Sequence, residues 1–305
     1  MDFNNILFPS PKFKMNEAKN FSDELIYIPR IIKITDKIEY IPCIFLPDQS
    51  NNKSKNFLLL FHGNAEDIFG ARALGDKLRQ KLYMNIIIIE YPGYSIYKTK
   101  DSNSNIILEN TIIVYDYIKA KFNLNDNNIY ILGRSIGTSP AIYLASKRKP
   151  NALFVISGFS SIKEVAKNLV GPLNVLLKDR FFSIDYIKDV TCPVLFIHGQ
   201  KDPLIPFKET ILLKDNCDCP FEVVLPINMT HNDFDIDEDI IEPIANFLGK
   251  NCSIDKGKNN FEENEEIKNY FKIPEYIKNT IDKNKNNHNY VNTYKNEFKT
   301  NTNES

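Results

Sequence analysis

No charge of either sign dominates this chain of 305 residues: 38 Lys and Arg stand against 39 Asp and Glu, for a net charge of -1. Nucleic-acid binders draw their affinity from a concentrated surplus of Lys and Arg on phosphate, so no nucleic-acid partner is expected. The five cysteines (Cys43, Cys192, Cys217, Cys219, Cys252) form no CxxC pair and no Cys/His spacing suited to zinc. A reducing compartment, the cytoplasm, is the simplest expectation. Long apolar runs are missing as well. Phe57 to Phe61 and Ile86 to Ile89 are of strand length, whereas a bilayer span needs about 18 residues. The opening Met1-Asp2-Phe3-Asn4-Asn5 lacks the basic and apolar regions of a secretory leader, and Asp2 excludes N-myristoylation. No phosphate-binding G-x-x-x-x-G-K-[ST] is present. The acidic run from Asp233 fails as a calcium loop, because Glu238 and Ile244 stand where glycine and glutamate are required. No metal or cofactor is expected.

What is there begins with an ordinary globular composition, 43% hydrophobic and 25% charged. Length alone allows about two domains of roughly 150 residues, but the composition divides the chain differently. From Asn251 onward 14 of 55 residues are Asn and aliphatic residues thin out, which predicts a disordered tail over 251–305. Within it, Glu265 to Ile273 is weakly amphipathic, of the kind that docks on a partner or lies peripherally on a membrane. An inert low-complexity extension is the plainer reading. Residues 1–24 are read as an N-terminal extension, and 25–250 as the folded domain.

Within that domain, β-branched runs predict strands at about 25–34, 38–46, 57–62, 86–91, 129–133, 152–157, 193–198 and 221–225. Stretches with apolar spacing near 3.6 predict helices at about 67–82, 105–122, 137–148, 206–215 and 236–249. Pro243 should kink the last helix or mark its true first turn. Two opening strands followed by strand-helix alternation predict an α/β class fold, a mostly parallel eight-stranded sheet with helices on both faces.

The chemistry gathers at Gly133-Arg134-Ser135-Ile136-Gly137, a G-x-S-x-G between a predicted strand and a predicted helix. A flexible turn with a capping serine would use the same residues. In the alternative, the glycines allow a sharp strand-to-helix bend in which backbones nearly touch, and Ser135 stands exposed at the carboxyl edge of the sheet. A serine hydroxyl is a weak nucleophile, so this reading requires a base, an orienting acid and oxyanion donors. Of the four histidines, His288 lies in the tail and His62 and His198 end strands before glycine, which leaves His231. His62 is better read as a structural group bonding its loop. The acid should lie between serine and base in chain order. Asp202 fits, and is preferred to Asp233 and Asp235, whose position suits the start of the last helix. The backbone N–H groups of Asn64 and Ile136 are the expected oxyanion hole, with Gly63 letting the backbone approach the substrate.

The segments His62-Gly63-Asn64-Ala65, Glu90-Tyr91-Pro92-Gly93-Tyr94, Gly133 to Gly137, His198-Gly199-Gln200-Lys201-Asp202 and Thr230-His231-Asn232-Asp233 together resemble the α/β-hydrolase superfamily. Within it they are similar to the HGN-type branch that contains the ABHD protein depalmitoylases. The resemblance covers about residues 25–250. It implies that Ser135, Asp202 and His231 are a catalytic triad, and that the substrate is an acylated protein or a lipid ester. Ser95 departs from the branch, which carries glycine there, and the cysteine cluster that anchors the animal depalmitoylases is absent.

The insert from about Phe159 to Thr191 is apolar and carries Leu173, Leu176, Phe181 and Phe182. These residues either roof a groove for an acyl chain or pack a short lid helix on the core. If about eight methylenes were buried at roughly 0.8 kcal/mol each, long chains would be favoured by some 6 kcal/mol. A palmitoyl-protein thioesterase is therefore expected first, with a lysophospholipase or general carboxylesterase behind it. A non-catalytic binding module is the rival of a different class. Nothing in the sequence indicates an oligomeric state.

Overall fold

The computed structural model describes residues 21–32, 37–50, 54–99, 104–163 and 181–252. All but the first two residues of the predicted tail, most of the N-terminal extension and the middle of the insert lie outside these residues; Asn251, assigned to the tail, ends the last helix. Among them, eight strands form one sheet in the order β1-β2-β4-β3-β5-β6-β7-β8. In chain order they are β1 (Leu25–Ile32), β2 (Lys37–Leu46), β3 (Phe57–Phe61), β4 (Asn85–Ile89), β5 (Ile129–Arg134), β6 (Ala152–Ile156), β7 (Val194–Ile197) and β8 (Phe221–Val224). β1 with β2 and β2 with β4 are antiparallel, and the remaining pairs are parallel. The apolar runs explain this architecture. Every residue of β3, β4 and β6 is buried, as expected for parallel strands covered on both faces by crossover helices.

Those crossovers are α1 (Ile68–Leu82), α2 (Ser104–Lys121), α3 (Thr138–Lys147), the short α4 (Ser183–Tyr186) and α5 (Lys208–Asp215), and α6 (Glu242–Asn251) follows β8. Helix α1 begins where the Asp67 side chain accepts the N–H groups of Phe69 and Gly70, satisfying donors a helix start leaves bare. It ends at Tyr83, which is left-handed at φ 54°. The predicted last helix divides in two. Asp235 caps a wide π turn over Ile236–Ile241, and the α-helical part starts at Glu242 with Pro243 in its first turn. Pro243 thus falls in the first turn of the α-helical part, directly after the π turn. Ile240, Ile241, Ile244, Phe247 and Leu248 are buried and Ile236 is half-buried, so one apolar face of this stretch packs on the core.

Strand order reverses at the centre of the sheet, where β3 lies between β4 and β5. In open α/β sheets such a switch point opens a crevice beyond the carboxyl ends of the strands. The loop after β3 and the turn after β5 meet there.

Candidate active site

β5 runs directly into a short 3-10 turn, Ser135–Gly137, and then into α3. The bend is tight enough to exclude side chains from both glycines. A Cβ on Gly133 would lie 2.6 Å from the Thr138 Cα, and one on Gly137 would lie 2.6 Å from the His62 carbonyl oxygen. Between them Ser135 sits in the left-handed region at φ 53°, a conformation that costs a non-glycine residue about 1–3 kcal/mol and persists only where the surroundings enforce it. The sequence reading left Ser135 exposed; in the structure it is buried, at 7% relative exposure. The strand end carries it to the sheet edge, but neighbouring loops cover it.

His231, in the loop after β8, and Asp202, in the loop after β7, come to the same place. The Ser135 hydroxyl lies 2.9 Å from His231 Nε2, and His231 Nδ1 lies 2.7 Å from Asp202 Oδ2. With the imidazole donating from Nδ1 to the carboxylate, Nε2 is left to accept from the serine. Asp202 is held in turn. Its Oδ1 accepts the N–H groups of Leu204 and Ile205, each at 2.9 Å, and its Oδ2 lies 3.3 Å from His198 Nε2. Burial works against the carboxylate charge, but the bonds from His198, His231 and the Ile205 N–H outweigh it and hold the pKa well below the usual aspartate range. Neither competing carboxylate reaches His231 in this network. Asp235 caps the π turn, and the Asp233 N–H donates to Thr230 Oγ1.

The loop after β3 has its own support. His62 is fully buried, with Nδ1 3.0 Å from the Gly63 carbonyl and Nε2 3.1 Å from Glu90 Oε1. Burial opposes a charge on this ring, yet the bond to Glu90 and its charge, with Glu66 and the Gly63 carbonyl behind, shift its pKa upward overall. Glu90 also accepts the N–H groups of Ile68 and Tyr91. Tyr91 donates its hydroxyl to the His62 carbonyl at 2.8 Å, and Tyr94 donates to Asn64 Oδ1 at 2.9 Å. Asn64 is therefore held by its side chain. Ile136, the other expected oxyanion donor, is the second residue of the 3-10 turn, within the first turn where backbone N–H groups have no intrahelical acceptor.

The residues assigned to substrate differ in fate. Leu173 and Leu176 lie outside the described residues. Phe182 is 40% exposed, whereas Phe181 is buried. With Tyr91, Tyr94, Ile107, Ile136 and Pro140, Phe181 encloses an apolar cavity of about 10 Å³, room for about one water. Two contacts went unread in the sequence: His198 on Asp202, and the Arg134 guanidinium on the His231 loop. The only signal for the first was that His198-Gly199 repeats the His62-Gly63 pattern at a strand end. For the second there was none, since the motif leaves that position free. No group of His, Cys, Asp and Glu among the described residues could hold a metal, and no described helix is long and apolar enough to cross a membrane.

A mostly parallel eight-stranded sheet opening on two antiparallel pairings, with a left-handed serine on a glycine-flanked turn at its switch point, gives the chain the α/β-hydrolase fold. Within that class it is similar to alpha/beta hydrolase domain-containing protein 17B from Homo sapiens, 28% identical over 216 residues that span 71% of this chain and 73% of the relative. It is also similar to alpha/beta hydrolase domain-containing protein aho-3 from Caenorhabditis elegans, 30% identical over 201 residues, 66% of this chain and 60% of the relative. Among solved structures, the Pyrococcus furiosus esterase Pf2001 superposes with a TM-score of 0.59 at 15% identity, covering 76% of this chain and 95% of the esterase. Mouse alpha/beta hydrolase domain-containing protein 10 gives 0.51 at 16%, covering 74% and 98%. At such identities these two establish the fold alone. No protein-family model matches the chain.

Proposed function

We propose that the protein is a serine hydrolase that cleaves acyl esters or thioesters through a covalent acyl-enzyme. The observation that carries this reading is the hydrogen-bonded series Ser135–His231–Asp202, at 2.9 and 2.7 Å, with the imidazole nitrogens in the order general-base catalysis needs. In the first half-reaction His231 Nε2 takes the serine proton as Oγ attacks the acyl carbonyl. The charge that forms on the carbonyl oxygen is assigned to the N–H groups of Asn64 and Ile136, and one such donor is worth about 2.7–4 kcal/mol of barrier. The imidazolium then protonates the leaving group. Water, deprotonated by His231, releases the acid in the second half-reaction, and Asp202 keeps the ring in one tautomer throughout.

For the substrate we take a protein-linked palmitoyl thioester first. What supports it is the resemblance to the depalmitoylase branch of the segments around His62, Tyr91, Ser135, Asp202 and His231. Thiolates, with an ordinary pKa near 8.5, also leave with little help from an acid. We further propose that residues 25–250 form the catalytic domain.

Labelling of the folded protein with a fluorophosphonate, with Ser135→Ala as control, tests the chemistry. Labelling of the wild type alone is expected; an unlabelled wild type would return the fold to a binding role. Turnover of a palmitoyl-cysteine thioester, a lysophospholipid and a short p-nitrophenyl ester then ranks the substrates. A lysophospholipid preference overturns the thioesterase assignment and leaves the mechanism standing.

A further inference from the structure

Arg134 occupies the free position of the G-x-S-x-G turn, yet its guanidinium reaches two other loops. Nη2 donates to the His231 carbonyl at 2.9 Å and to Asn232 Oδ1 at 3.1 Å. Nη1 lies 3.3 Å from Glu66 Oε1, the atom that also accepts the Gly63 N–H at 2.7 Å. The guanidinium carbon stands 5.3 Å from the centre of the Phe234 ring. The side chain is only 12% exposed. Glycine at 63 makes room for it, since a Cβ there would lie 2.9 Å from Nη1. The sequence reading reserved that space for substrate; the arginine fills it.

Three segments far apart in the chain are thus joined by one side chain: the turn with the nucleophile, the loop with the base and the loop with Asn64. Loops are the easily displaced parts of a fold, and both loops here are irregular. A guanidinium is suited to the task because its planar fork donates in several directions at once and its bonds are charge-assisted. Lysine offers a single point charge.

We infer that Arg134 is a positioning residue for the reaction proposed above: it holds the His231 loop and the Asn64 loop at a set spacing around Ser135. It touches no reacting atom. The inference rests on the serine hydrolase reading, because a set spacing matters only if base and oxyanion donors act on one substrate.

The test is steady-state kinetics on a short p-nitrophenyl ester, with fluorophosphonate labelling rates, for the full-length wild type, Arg134→Met, Arg134→Lys, Glu66→Ala and the Arg134→Met/Glu66→Ala pair. Displacing a catalytic group by about 1 Å costs about 100-fold in rate, so kcat and labelling rate of Arg134→Met should fall by about 10- to 100-fold while KM stays within about twofold. Arg134→Lys should recover part of the loss. The pair should be no slower than Arg134→Met alone, since both changes cut one network. Unchanged kcat in Arg134→Met, or a higher KM at unchanged kcat, overturns the inference. Should Arg134→Met fail to fold by circular dichroism, Glu66→Ala and Asn232→Ala each cut one arm, and wild-type kcat in both overturns it equally. A wild type that neither labels nor turns over sinks the hydrolase reading itself, and this inference with it.

Discussion

Asp202 shows how much a single residue depends on its neighbours. Its carboxylate accepts two backbone N–H groups and the His231 imidazole, with the His198 ring 3.3 Å away, so it is poised to orient and not to take a proton. Asp202→Asn should keep the fold and lower kcat by about 10,000-fold, since an amide can favour the wrong imidazole tautomer; the check is single-turnover kinetics at equal labelling-competent protein. Stability carries a second signature. A carboxyl held below its unfolded value of about 3.9 stabilises the fold fully above that pH and progressively less as pH falls toward the folded value. The stability gap between wild type and Asp202→Asn in urea should therefore be widest near neutrality and shrink below about pH 4. A gap constant down to the acid limit of folding would contradict the depressed pKa. Ser95 offers a change in the opposite direction. It stands at φ 38°, fully buried, with a hydroxyl that finds no hydrogen-bond partner, where the branch it resembles carries glycine. A left-handed L-residue costs about 1–2 kcal/mol, and an unmet buried hydroxyl adds to that. Ser95→Gly should raise Tm by about 2–4 °C, the equivalent of about 1 kcal/mol in a chain of this size. A lower Tm would mean the serine packs better than its backbone suggests.

At the scale of elements, the strand-turn-helix through Ser135 is the unit that matters. A Cβ on Gly137 would meet the backbone carbonyls of Phe61 and His62, which cannot swing aside as a side chain would without parting β3 from β5. Gly137→Ala should therefore destabilise the protein by about 1–3 kcal/mol, the usual cost of overpacking. It should slow fluorophosphonate labelling as well, because the same shift moves His62 and Asn64. Thermal melts and labelling rates on one sample would expose a variant in which either stays at the wild-type value. The elements were legible because each writes its own period locally. Ile86 to Ile89 suited a strand buried on both faces, and the spacing of Ile240, Ile244 and Phe247 suited a helix face. The π turn at Ile236–Ile241 was not legible, since widening a helix by one residue per turn leaves hardly any mark on a pattern six residues long.

For the molecule as a whole, the thiols report how completely the sheet and helices close. Cys43, Cys192, Cys217 and Cys219 are buried and Cys252 is half-buried. Burial pushes the Cys192 pKa up to about 12 and that of Cys252 up to about 11. Burial raises Cys43 further, with the Glu90 charge adding to it. At pH 8 a thiol-specific disulfide reagent should modify the native protein slowly and count all five cysteines once denaturant is added. Rapid reaction of four or more in the native state would mean that the core opens readily. The whole-molecule view also separates two kinds of information. The sequence alone determined the class of fold, the order of the strands and the longer helices, and which serine, aspartate and histidine followed the strands, because periodicity and turn chemistry act over a few residues. Only the tertiary structure decided that Ser135 is covered, that His198 backs Asp202, and that Arg134 grips a loop 98 residues away. Contacts of that range come from the summed packing of every element between them, and no local pattern records the sum.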